Sequence, residues 1–159
     1  MGKLTFCVVA LAALASACSR PAGGAHVGSS GPGKLPSAAL DLAIGQAIGD
    51  PTTCVIIFNA ADNKKLYQYG QDFNCQRPLP ACDRPGTLTG ETALAFAAGA
   101  RMASCNLPSP PGAAVGWAEG KVLGAKEPLV YSAVMDGQRA LPGHEMSARM
   151  DNVFYNLSL

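Results

Sequence analysis

The chain has 159 residues, a formal net charge of +1, 14% charged residues and 6% aromatics. That balance supplies no basic face for nucleic acid, and a single tryptophan, Trp117, is too few for a carbohydrate-stacking platform. No internal repeat recurs, and past the first 18 residues no apolar run approaches the length of a membrane span.

The N-terminus reads as an export signal. Lys3 gives a thin positive region, and residues 4–14 are an apolar run. The run is too short for a helix across the bilayer core, which needs about 20 apolar residues, and has the length of a signal-peptide core. Two processing routes compete at its end. Ala15-Ser16-Ala17 satisfies the small-x-small rule of ordinary signal peptidase. Leu14-Ala15-Ser16-Ala17-Cys18 also resembles the bacterial lipobox, with Ala15 where Leu is usual and Leu14 one place further back. The resemblance implies that residues 1–17 are removed and that Cys18 is lipidated. Ser19 after the cysteine, by resemblance to sorted lipoproteins, implies the outer membrane in a Gram-negative host. Without lipidation the chain would be periplasmic or secreted.

Residues 18–36 then form a leash rich in Gly, Pro, Ser and Ala, with Val27 and Leu35 its only sizeable apolar residues. It cannot bury enough surface to offset its ordering entropy, so a flexible tether is expected. His26 within it is read as solvated. Residues 37–159 have the length of a single small domain. Cys7 lies in the signal, which leaves Cys54, Cys75, Cys82 and Cys105, an even set in an exported domain and hence two disulfides. The preferred pairs are Cys54–Cys75, bracing a hairpin, and Cys82–Cys105, tying a helix end to the loop before it. The rival is Cys75–Cys82 with Cys54–Cys105. A zinc site is disfavoured, because no C-x2-C pair occurs and the remaining donor, His144, is remote.

Leu40, Ile44 and Ile48 recur on one face of a helix that Ser37 can cap and Gly49-Asp50-Pro51 ends. Residues 53–59 are a continuous β-branched run, the mark of a strand covered on both faces, and residues 65–70 alternate; with Asp62-Asn63 between them they make a hairpin. Residues 72–88 are loop. Thr89 can cap a helix over about 90–103, with Glu91 in its first turn, Arg101 in its last, and Leu94, Ala98 and Met102 as its apolar stripe. Residues 113–119 and 129–135 are strand candidates for a second hairpin, and Gly116 beside Trp117 signals a bulge or a close backbone approach. A final helix over 144–157 presents Met146, Met150, Val153, Phe154 and Leu157. The order α-ββ-α-ββ-α predicts an α+β domain: a mostly antiparallel sheet of about four strands, the terminal helices together on one face and the middle helix on the other.

Catalytic patterns fail on their residues. His144-Glu145 opens like a zincin helix, but Ala148 stands where the second His belongs. No G-x-S-x-G surrounds a serine to use His144, and the 86–90 stretch lacks the lysine of a phosphate loop. Asp136 and Glu145 both fall at element ends, where acids are ordinarily solvated. The first hairpin, the GWAEG strand, the LVYSAVMDG strand and the closing helix resemble the α/β half of penicillin-recognising serine hydrolases, class D β-lactamases above all. The resemblance covers the hairpin and roughly the last fifty residues. It implies at most a stripped scaffold: no S-x-x-K follows the hairpin, the helical insert is missing, and the 87–90 stretch lacks the lysine of K-T-G.

The expected function is therefore that of a non-catalytic binding or structural domain, anchored to the membrane by its N-terminal lipid and facing a periplasmic or surface partner, with no cofactor. Alternatives are a degenerate hydrolase acting on cell-wall or β-lactam substrates and a small-ligand sensor of profilin-like build. A binding face, if used, is expected near Trp117, Tyr131 and the 72–88 loop.

Overall fold

The computed structural model describes residues 35–93 and 99–159. The signal, Cys18 and most of the leash lie outside these residues, as do Leu94 and Ala98 of the expected middle helix. Helix α1 is Ser37–Ile48, with Leu40, Ile44 and Ile48 buried as their spacing requires. Its cap position is Pro36 rather than Ser37, which is the first helical residue. Strands β1 (Cys54–Asn59) and β2 (Lys65–Tyr69) form the first hairpin. Asn63 takes a left-handed conformation in its turn, which its short polar side chain tolerates. A short helix α2 (Asp72–Gln76) follows, then a two-residue ribbon of β3 (Leu79–Pro80) with β4 (Thr87–Leu88). Next come β5 (Arg101–Asn106), β6 (Ala114–Lys121), β7 (Leu129–Gly137) and helix α3 (Gly143–Leu157).

The main sheet is antiparallel throughout, in the order β2-β1-β7-β6-β5. It has five strands rather than about four. The extra strand is β5, where residues 99–103 were expected to finish a helix. Thr89 Oγ1 accepts from the Thr92 amide at 3.1 Å in a turn, but Arg101–Asn106 is extended and paired residue for residue with β6. The physical reason lies in a period of two. Arg101, Ala103 and Cys105 share one face, where an ion pair, a buried methyl and a disulfide fix them, and Met102 is exposed rather than part of a buried stripe.

Helices α1 and α3 pack together on one face of the sheet, around Leu40, Ile44, Val55, Ile57, Tyr131, Ala133, Met146, Met150 and Phe154. The opposite face is covered by α2 and the β3–β4 ribbon, over Cys54, Ile56, Cys75, Leu88, Val115, Trp117 and Val134. Strand β1 is apolar on both sides because both sides are covered. The disulfides are Cys54–Cys75 and Cys82–Cys105, both on this second face. At Gly116 the expected close approach is present: a Cβ there would stand 1.9 Å from the Leu141 carbonyl oxygen. Among the described residues no helix is long and apolar enough to cross a membrane.

Candidate functional site

Charge gathers on the second face, where β5 and β6 run under the 80–84 loop. In the β5–β6 register Arg101 stands opposite Glu119 and Ala103 opposite Trp117. Directly opposite residues share a face of the sheet, so the guanidinium, the carboxylate and the indole converge. Arg101 donates from Nη1 to Glu119 Oε1 at 2.5 Å. Its Nε and Nη2 grip Asp83 in a two-pronged pair at 2.7 and 2.8 Å, and Nη2 also donates to the Ala81 carbonyl. The guanidinium carbon lies 5.8 Å from the centre of the Trp117 ring, within cation–π range. Trp117 Nε1 donates to the Pro80 carbonyl at 2.8 Å. The loop is thus held to the sheet by hydrogen bonds, an ion pair and the Cys82–Cys105 bond.

The two carboxylates of this network behave oppositely. Hydrogen bonding from Arg101 holds Asp83 down at about 2 against the opposing effect of burial. Glu119 is fully buried, and burial pushes its carboxyl above the ordinary glutamate range against the pull of Arg101. Among the described residues its second oxygen, Oε2, has no hydrogen-bond partner, nor has the buried hydroxyl of Ser132, its cross-strand neighbour on β7. The sequence alone marks none of these three charged residues as a site. The available signal is a lone acid, Glu119, in a strand that is apolar apart from its terminal Lys121.

Trp117 and Tyr131 do not form a common face. Both are essentially buried, Trp117 on the second face and Tyr131 among the helices, where its ring meets Phe154 edge-on at 5.0 Å. Tyr131 stands opposite Gly120, an even position of β6, whereas Trp117 is odd; that parity sends them to opposite sides. Asp136 and Glu145 are likewise kept apart, Asp136 paired with Arg77 and Glu145 with Arg149. His144 is exposed near the start of α3. The four domain cysteines are consumed in disulfides, and among the described residues no group of three or more His, Cys, Asp or Glu side chains could hold a metal.

Among the described residues, a groove and a cleft open to the surface. The groove, of about 350 Å³, runs between α1 and α3, floored by Ala43, Ala47 and Val153 and edged by Gln46, Arg149 and Asn152. The cleft, of about 340 Å³, lies where β5 meets the chain before α3, between Ser104, Asn106 and Leu141. No family model, no curated protein and no solved structure matches this chain.

Proposed function

We propose that the protein is an exported, envelope-anchored domain that binds or supports a partner outside the cytoplasm and performs no chemistry of its own. The observation that carries this reading is the pair of disulfides, Cys54–Cys75 and Cys82–Cys105, built into one face of the sheet. Such bonds persist in oxidising compartments and are typical of small exported domains. The export signal and lipobox-like sequence before the domain supply the address and the anchor. The non-catalytic reading is supported by how the two acids singled out in the sequence are engaged: Asp136 pairs with Arg77 and Glu145 with Arg149.

The anchor is tested by labelling cells with a palmitate analogue and separating membranes. Label on the chain and its recovery with membranes are expected, both lost in Cys18→Ser. An unlabelled protein whose N-terminus is Cys18 with a free amine would overturn the anchor. Stoichiometric labelling of the purified domain by a fluorescent penicillin would overturn the non-catalytic reading.

A further inference from the structure

The five-stranded sheet ends in two edges that are built differently. The β2 edge carries the devices that keep a sheet from adding strands: an irregularity in the β1–β2 register at Ile57/Phe58, and a lysine, Lys65, paired with Glu91. The β5 edge has neither lysine, proline nor register shift, and its six residues pair evenly with β6.

Hydrogen-bond parity says which groups that edge offers. Beyond the end of β5, the Leu107 amide donates to the Ala113 carbonyl at 2.8 Å, so 107/113 stands at a bonded position of the ladder with the 107 amide directed at the β6 side, while the Ala113 amide goes to the Pro110 carbonyl. In an antiparallel ladder such positions recur at every second residue. Residues 105, 103 and 101 therefore spend their amides and carbonyls on β6. Met102, Ser104 and Asn106 direct theirs outward, and these three are the exposed residues of the strand. Among the described residues no strand pairs with this edge.

We propose that the β5 edge receives a second copy of this chain, β5 against β5 about a two-fold axis at Ser104, joining the sheets into one of ten strands. The edge is self-complementary in that register. Ser104 meets Ser104 of the other copy, and Met102 meets Asn106, so the outward amides and carbonyls of all three residues of each strand meet outward groups of the other. No like charges oppose one another: Arg101, already committed to Asp83 and Glu119, faces the neutral Leu107. A formal charge of +1 per chain adds little long-range repulsion.

Sedimentation of the full chain tests the pairing, with a pair of variants that alter the same two exposed positions. The wild type is expected to sediment as a dimer. Met102→Lys with Asn106→Lys places lysine opposite lysine at both ends and should give monomers. Met102→Lys with Asn106→Asp places opposite charges in register and should remain dimeric. A wild type that is monomeric at every concentration, or two variants that sediment alike, would overturn the proposal.

Discussion

Arg101 is the side chain on which the second face depends most. It joins β5 to Glu119 on β6 and to Asp83 and Ala81 of the loop, and its side chain is nine-tenths buried. Removing one member of a buried pair strands the other, at roughly 3–5 kcal/mol. Arg101→Ala should therefore lose about that much, read from urea unfolding, a large share of the stability of a domain this size. Arg101→Lys should recover only part, since an ammonium cannot reproduce the fork on Asp83. Acid acts through Asp83. Its folded pKa is depressed, so its contribution is complete above the unfolded value of roughly 3.9 and disappears as the pH falls to about 2. Asp83→Asn should lower the melting temperature near neutrality and make no difference at the acid end, a comparison calorimetry can make. Glu119 carries the opposite sign. Its carboxyl is raised, so its protonated form favours the fold at low pH, and that contribution shrinks as pH rises through the elevated pKa.

The elements with a strong period stand where the sequence puts them: Leu40, Ile44 and Ile48 in α1, the unbroken run of β1, and Met146, Met150 and Phe154 in α3. Strand β5 was not legible because the stretch before it is rich in alanine, the best helix former, and its own residues are half exposed. What makes it a strand is tertiary: a ladder to β6, an ion pair across it and a disulfide at Cys105. The charged network was hidden for a related reason. Asp83 and Glu119 each lie 18 residues from Arg101, on either side, and only the register brings them together. The disulfide pairing preferred from the sequence, Cys54–Cys75 with Cys82–Cys105, is the one present, at Cα separations of 5.2 and 5.3 Å, and its rival Cys75–Cys82 with Cys54–Cys105 is not. Since the Cys82–Cys105 bond and Arg101 hold the same loop, replacing both cysteines by serine should cost about 2–4 kcal/mol. The same replacement made in Arg101→Ala should cost a different amount than in the wild type, because neighbouring ties are not additive. A double-mutant cycle in urea measures the difference.

At the scale of the whole molecule the two faces are fastened by different means. The second face is cross-linked covalently, from Cys54 to Cys75 and from Cys82 to Cys105, while the helix face is held by packing and a few hydrogen bonds. Tyr67 donates to Asp41 at 2.7 Å, Arg149 to the Ala47 carbonyl at 2.7 Å, and Thr53 to the Ile48 carbonyl at 2.8 Å. Helix α1 is thus the outermost part of the domain toward the N-terminus, and the first covalent tie the chain meets after it is Cys54. A mechanical load transmitted along the N-terminal segment would act on α1 before anything else. Peeling away α1 and the segment after it, residues 37–53, would release at most roughly 60 Å of extended chain, and the disulfide at Cys54 would then carry the tension. The five-stranded sheet lies beyond that stop. A load from the N-terminal side would thus meet a helix held by packing before it meets a covalent cross-link.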